Sequence, residues 1–348
     1  MEAILKIDRL GQWAATLQDR AEVYAPDFVE DAWAFTKVGH GATVALDHTN
    51  TVRPAKSFVF PQREVLYRFK LDSGKAPELT DSEPKVAPTV VFGVRPCDGR
   101  ANVRNDRVFT CGFSDPYYQA RRDKVVFVGL ACKTPPSPNC FCTSVGGSPH
   151  SEDGLDVLMT ELDGRYHVKA LTARGEDIVQ AARDLFDEAK AADKKEAEEA
   201  HATALAYPQR SMSKMDAVAA ALRLNFDSPL WDKLAQACIG CGVCTYLCPT
   251  CHCFDINDEV TGKSPVTGER VRTWDNCQFP DFTMHSSGHN PREDTGARLR
   301  QRISHKLLYF VENHNMQQCT GCGRCITHCP VGIDIIKIAA LMEEGAWQ

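Results

Sequence analysis

Two apolar runs in the first half of the chain predict strands that are buried on both faces of a sheet. Residues 89–94 (TVVFGV) and 124–129 (KVVFVG) are rich in β-branched residues and show no alternation of apolar and polar positions. This pattern is typical of a mostly parallel sheet that is covered on both sides. Residues 156–160 and 166–170, joined through Asp163-Gly164, predict a β-hairpin. The first half is therefore expected to form a mixed α/β domain.

The two ends of this first half carry helical patterns. Residues 1–20 place apolar side chains among charged ones, which predicts an amphipathic helix rather than the apolar segment of a signal peptide. Residues 176–207 are rich in Lys and Glu, and we interpret them as a charged helical stretch with a solvated face. Neither segment carries a recognisable chemical motif.

The second half begins where the segment 211–216 predicts a domain boundary. Beyond it, apolar residues recur at helical spacing, whereas residues 258–270 contain the Gly, Pro and Ser of a loop. We therefore predict an α+β fold in which a mixed α/β domain (residues 1–212) precedes an all-helical domain (residues 213–348). The predicted helices of the second domain are residues 215–225, 229–237, 278–288 and 295–313.

The composition narrows the class of protein. The chain has 348 residues, of which 43% are hydrophobic, so it can bury the cores of two domains. A net charge of −6 argues against nucleic acid or an anionic membrane as the main partner. No stretch approaches the roughly 20 apolar residues that span a bilayer, so we expect no membrane insertion. Sixteen cysteines without a signal-peptide pattern indicate metal binding in a reducing, cytoplasmic setting.

Cysteine spacing in the second domain predicts two [4Fe–4S] clusters. The run Cys-x2-Cys-x2-Cys-x3-Cys-Pro occurs at residues 238–249 and again at residues 319–330. This is the spacing of bacterial ferredoxins, in which three thiolates wrap one cube and the fourth ligates the other cube. We therefore expect one cluster on Cys238, Cys241, Cys244 and Cys329, and a second on Cys319, Cys322, Cys325 and Cys248.

Other interpretations of these runs fit less well. Paired zinc sites use Cys-x2-Cys, but neither a third Cys at the same spacing nor a trailing Cys-Pro, and disulfides do not require this spacing at all. Residues 244–251 also contain the Cys-x3-Cys-x2-Cys triplet of radical-SAM enzymes. Only 97 residues follow Cys251, which is too few for the large α/β barrel that such an enzyme needs.

Four cysteines of the first domain form a candidate third site. Cys97 follows the predicted strand 89–94, and Cys132 follows the predicted strand 124–129. The carboxyl ends of parallel strands are where α/β folds place their ligands, so both thiols should lie on one rim. Cys140 and Cys142 follow in a loop that can fold back onto it. We predict a third [4Fe–4S] cluster on these four thiols, with buried, inert cysteines as the alternative.

Three cysteines near the first run are left without a predicted role. They are Cys251, Cys253 and Cys277, and three thiols alone close no ordinary cubane site. His252 or Asp275 would be candidates for a fourth ligand, and shielding of the clusters is an equally good explanation. Cys111 is interpreted as a free, structural thiol.

Five further segments, together with both cysteine runs, carry a family resemblance. They are KSFVFPQRE (56–64), FGVRPCDGRA (92–101), DPYY (115–118), NCFCTS (139–144) and WDNCQFPD (274–281). With them the chain resembles the family of dicluster ferredoxin proteins that includes the β subunit of cytoplasmic sulfhydrogenases and the iron–sulfur subunit of anaerobic sulfite reductase. The matching segments extend from residue 56 to residue 330.

The resemblance implies an electron-transfer subunit rather than an enzyme that acts alone. It implies a partner subunit that binds a flavin and NAD(P)H. It also implies a second partner, which is a NiFe hydrogenase, a sirohaem sulfite reductase or a heterodisulfide-reductase-like module. The absence of a Gly-x-Gly-x-x-Gly fingerprint and of a Gly-x4-Gly-Lys-Ser/Thr loop agrees with a chain that binds no nucleotide itself.

The rival hypothesis is a catalytic iron–sulfur reductase. Its first domain would bind a small anion such as sulfite beside the Cys97–Cys142 site. Four arginines would then recognise the anion; alternatively they dock an acidic partner surface or pair with neighbouring carboxylates. These residues are Arg95, Arg100, Arg121 and Arg122, with Asp98, Asp106 and Asp115 as the expected carboxylates.

Overall fold

The strands of the computed structural model form two sheets. The structure describes residues 1–81 and 84–345. The larger sheet belongs to the first half of the chain, whereas the smaller sheet combines strands from both halves. The strands in the described residues are β1 (Glu2–Lys6), β2 (Glu22–Val29), β3 (Ala32–Lys37), β4 (Arg63–Leu71), β5 (Glu78–Asp81), β6 (Thr89–Val94), β7 (Val125–Leu130), β8 (Val157–Leu162), β9 (Arg165–Ala170), β10 (Phe186–Glu188), β11 (Phe254–Lys263) and β12 (Val266–Trp274).

Helices cover the larger sheet and make up most of the second half. A π-helical turn, His305–Tyr309, joins two of them into one continuous helix. No helix within the described ranges is long and apolar enough to cross a membrane. The helices are α1 (Leu10–Gln18), α2 (Pro96–Thr110), α3 (Pro116–Lys124), α4 (Ala173–Gln180), α5 (Ala191–Ala206), α6 (Met215–Leu224), α7 (Leu230–Ala235), α8 (Val243–Tyr246), α9 (Thr295–Ser304), α10 (Phe310–His314), α11 (Arg324–Thr327) and α12 (Ile335–Glu344).

The eight-stranded sheet has the order β10-β1-β9-β8-β7-β6-β2-β3. Its centre is parallel, since β2, β6, β7 and β8 run in the same direction, and its flanks are antiparallel. On one face Trp13 of α1 packs edge-to-face against Phe92 of β6, with ring centroids 4.9 Å apart. On the other face Phe109 of α2 stacks on Tyr118 of α3. Covered on both sides, β6 and β7 open with their carboxyl ends on one common rim.

Several sequence predictions for the first half are confirmed. The apolar runs 89–94 and 124–129 correspond to the parallel neighbours β6 and β7, and the predicted hairpin corresponds to β8 and β9. The helix predicted over residues 1–20 is only partly right, because it begins at Leu10 and the preceding residues form β1. The apolar side chains of β1 are buried between β9 and β10, a cross-chain pairing that local spacing does not reveal.

The second half is not all-helical, so that part of the predicted fold class is wrong. The segment that includes the predicted loop 258–270 forms an antiparallel hairpin of β11 and β12. Strand β12 also pairs with β4, so the smaller sheet has the order β11-β12-β4-β5 and spans the predicted boundary at 212/213. The β-branched residues of β12 find their partner strand some 200 positions away, because strand pairing depends on tertiary context.

The predicted helices of the second half fare better. Three of the four correspond to α6, to α7 and to the continuous helix from α9 through α10. The fourth, residues 278–288, is wrong, since only a single 3-10 turn (Pro280–Thr283) forms there. Ser286, Ser287 and Gly288 follow it, and residues of these types favour turns over helix.

Candidate functional site

The thiols of the first run line one cavity together with a thiol of the second run. Cys238, Cys241 and Cys244 surround it, and Cys329 reaches it from the loop after α11. Gly242 begins α8 with a φ of +75°, a left-handed turn that lets the run curl around the cavity. The four thiols are the crossed set that the spacing predicts, and their role as ligands stays a prediction. Apolar residues close the cavity: Leu299, Ile303, Val331, Ile333 and Ile335.

Cys248 lies with the second run rather than with the first. Burial raises the pKa of Cys319, Cys322 and Cys325, and the nearby thiol of Cys248 raises each of them further. An electrostatic effect of this kind weakens with distance, so the four sulfur atoms are close neighbours. This is the second predicted set.

The four candidate thiols of the first half also line one cavity. Cys97 lies in the first turn of α2, directly after β6, and Cys132 follows β7. Both therefore occupy the common rim of the sheet, as the sequence predicts. Cys140 and Cys142 complete the lining, and so does Cys322 of the second run. The first-half site and the second run thus share a wall.

The shared wall depends on two glycines of the second run. Phe141 donates a backbone hydrogen bond to the carbonyl of Gly321 at 2.9 Å. A Cβ on Gly321 would stand 2.6 Å from backbone atoms of Cys142, and one on Gly323 would stand 2.5 Å from the carbonyl oxygen of Asn139. Both glycines have positive φ. A larger residue at either position would push the two thiol loops apart.

The charge around the first-half thiols fits metal ligation. Burial raises the pKa of all four thiols, that of Cys140 to about 11. A metal ligand must be a thiolate, so nearby cations are needed to offset the burial. Arg95 lowers the pKa of Cys132 through its charge and a hydrogen bond, and the charge of Arg100 acts in the same direction on Cys142. The four thiols therefore fit an anionic iron–sulfur group.

The same geometry overturns the idea that the four arginines form an anion-binding or docking rim. Arg95 and Arg100 are buried, and Arg100 donates to the carbonyl of Val145. Arg121 pairs with Glu64, and Arg122 pairs with Asp106 as one alternative expected. Of the other two carboxylates, Asp115 pairs with Arg272 of β12 and Asp98 pairs with Arg324. Because these partners lie far along the chain, sequence proximity could not identify them.

A buried ion pair connects the first-half site to the second run. Arg324 stands between the ligand candidates of the second run, and Asp98 follows Cys97 in α2. The guanidinium contacts both carboxylate oxygens of Asp98, at 2.5 and 2.8 Å, and donates to the carbonyl of Thr51 at 2.8 Å. Both side chains are almost fully buried. The charge of Asp98 raises the pKa of the Cys97 thiol and that of Arg324 lowers it, and the effect of Asp98 is the larger.

Sequence reasoning missed a group of buried cations beside the unassigned cysteines. Lys56, Arg302 and Lys306 are all buried. Lys56 donates to the carbonyl of Cys251 at 2.9 Å, and Arg302 lies 3.6 Å from the sulfur of the same residue. Lys306 donates to Thr250 and Gln318, each at 3.0 Å. The i, i+4 spacing of Arg302 and Lys306 on the helix was the available signal, and it does not stand out in sequence.

The thiol groups differ from single-ion sites. Within residues 1–81 and 84–345, no group of three or more His, Cys, Asp or Glu side chains is arranged to hold one metal ion. The thiolates of a cubane bind different iron atoms, so their sulfur atoms stand farther apart than the ligands of a single ion do.

Comparison with known proteins agrees with this geometry. A family model described as a 4Fe-4S dicluster domain matches residues 237–333, the part that contains both runs. The chain is therefore an iron–sulfur protein of the dicluster class. Over 336 residues it is 32% identical to sulfhydrogenase 2 subunit beta of Pyrococcus furiosus, with 94% of each chain covered. The chain belongs to the sulfhydrogenase β-subunit family. No solved structure matches it.

Proposed function

We propose that this chain relays electrons within a cytoplasmic oxidoreductase complex and performs no substrate chemistry of its own. One side would face a subunit that binds a flavin and NAD(P)H. The other would face a NiFe hydrogenase, a sirohaem sulfite reductase or a heterodisulfide-reductase-like module. The similarity to a sulfhydrogenase subunit favours the hydrogenase among these partners.

The observation that carries the proposal is the succession of three thiol sites. Cys325 borders the cavity of the first run, and Cys322 borders the cavity of the first-half thiols. The second run therefore lies between the other two sites and touches both. Iron–sulfur clusters, when bound, supply one-electron transfer between close neighbours. Three such sites in a row support a short electron path through the chain, and they support our assignment of a third cluster to the first half.

The third cluster predicts a specific loss of iron. Cys140→Ser combined with Cys142→Ser is expected to remove about four irons per chain, because a dicluster protein holds about 8 and a third cube brings the count to about 12. Iron and sulfide analysis of anaerobically prepared protein measures this loss. Cys111→Ser is the matched control, since that thiol is exposed and borders none of the three sites. Unchanged iron in the double variant would remove the third cluster from the proposal.

The relay role predicts a chain that is reducible but catalytically silent. Purified alone, the chain should show cluster spectra that bleach with dithionite, yet it should turn over neither NAD(P)H, hydrogen nor sulfite with artificial electron carriers. Adding the flavin subunit should restore reduction of the clusters by NAD(P)H. Sulfite- or NAD(P)H-dependent turnover by the isolated chain would instead favour the catalytic reductase.

A further inference from the structure

The base of the β11–β12 hairpin gathers three thiols that the relay does not use. Phe254 opens β11 opposite Trp274, which closes β12. The residues just outside this pair are therefore brought together, and the N–H of Asp275 donates to the carbonyl of Cys253 at 3.0 Å. The thiols of Cys253 and Cys277 are hydrogen-bonded to each other. Cys251 lies two residues before Cys253, so all three thiols belong to one group.

The sulfur atoms of this group face polar donors rather than an apolar wall. Arg302 stands 3.6 Å from the sulfur of Cys251. The sulfur of Cys277 is approached by the hydroxyl of Thr245 at 3.5 Å and by the side-chain amide of Gln278 at 3.6 Å. Cys251, Cys277, Thr245 and Gln278 are all buried. Hydrogen bonds to sulfur in such a setting stabilise a thiolate and tune the potential of an attached cluster.

Three buried cations surround the group without a matching carboxylate. The hydrogen-bond acceptors of Lys56 and Lys306 are carbonyl, hydroxyl and amide oxygens, while those of Arg302 are a carbonyl, a hydroxyl and the Cys251 sulfur. Within residues 1–81 and 84–345, none of the three forms an ion pair with Asp or Glu, unlike the buried Arg324. Burying cations without negative charge nearby is strongly unfavourable. Their charge therefore requires an anionic group among the thiols.

We propose that Cys251, Cys253 and Cys277 hold one further iron–sulfur cluster through three thiolates, with Lys56, Arg302 and Lys306 as its counter-charges. Cys248 belongs to the second run, so three cysteines is the complete set. This composition fits a three-iron cluster, or a cube whose fourth iron takes a ligand other than cysteine. Two of the cations contact Cys251 itself, which ties their charge to this group rather than to the second run alone.

The architecture of the helix supports a built site. Arg302 and Lys306 lie one turn apart, and the π-helical turn begins between them at His305. Lys56 arrives from the first half of the chain, shortly before β4, and lies over the ring of Trp274 at 4.1 Å. The hairpin, the helix and the first half thus each contribute to the same small region. π-helical turns occur frequently at functional sites.

The decisive variant replaces all three cysteines by serine in the full chain. It is expected to lose about three or four irons per chain, together with the EPR signal of one cluster, while the other cluster signals remain. Cys111→Ser is the control. This loss is independent of the first-half site, because the Cys140/Cys142 variant removes a different set of irons. Retention of the wild-type iron content would overturn the inference and leave the thiols as a shield around the neighbouring clusters.

Two measurements keep the inference testable if the triple variant fails to fold. Wild-type protein should contain more than about twelve irons per chain, and all sixteen thiols should be alkylated after denaturation without reductant. A count of about twelve or fewer, or a Cys253–Cys277 disulfide, would overturn it. Lys306→Gln should shift at least one cluster midpoint to a lower potential, because a cation that favours the reduced form is lost. Midpoints equal to those of wild type would refute the counter-charge role.

Discussion

Replacement of Cys248 by serine is expected to remove the cluster of the second run and to leave the cluster of the first run intact. The Cys248 thiol lies among Cys319, Cys322 and Cys325, although it belongs to the first run by sequence. A serine oxygen is a poor substitute for thiolate on iron, so about four irons per chain should be lost. EPR of the reduced protein, with iron analysis, measures which signal disappears.

The mirror variant, Cys329→Ser, is the matched control for this experiment. It should damage the cluster of the first run, because Cys329 shares a cavity with Cys238, Cys241 and Cys244. The pair of variants separates crossed ligation from a general loss of iron. If Cys248→Ser removes the first-run signal and spares the second, the crossed assignment is wrong and each run holds its own cube.

Arg324→Met is expected to destabilise the folded protein by about 3 to 5 kcal/mol, because it leaves the buried carboxylate of Asp98 unpaired. It also removes the donor to the carbonyl of Thr51. The measurement is the midpoint of urea unfolding under anaerobic conditions, which should fall by at least about 1 M at ordinary slopes. We also expect faster loss of iron, since this pair joins the loop of the second run to the start of α2.

A matched control uses an ion pair that is exposed. Arg270 and Asp258 pair across the β11–β12 hairpin, and each is about two-fifths exposed. Arg270→Met should change the midpoint little, because solvent screens such a pair. The double variant Asp98→Asn/Arg324→Met should recover part of the stability lost in Arg324→Met, since no unpaired charge stays buried. A midpoint for Arg324→Met equal to that of wild type would mean that the pair does not hold the two halves together.

The sequence alone predicted the chemistry of the second half. Cysteine spacing is a covalent property, so the runs at 238–249 and 319–330 predict two clusters before any fold is known. The apolar strands at 89–94 and 124–129 were equally readable, because a run without alternation suits a strand buried on both faces. From these strands followed the shared rim of Cys97 and Cys132.

Only the tertiary structure decided which groups meet. The hairpin of β11 and β12 pairs with β4 across the predicted boundary, so a segment that resembles a loop becomes part of a sheet. Arg324 finds Asp98 at a separation of 226 residues, and Lys56 reaches Cys251 at a separation of 195. The reason is physical: spacing along the chain encodes local periodicity and the reach of one loop, whereas the partner of a buried charge is selected by the packing of the whole molecule. The cations around the unassigned thiols, and the site that we infer from them, therefore became visible only in the folded chain.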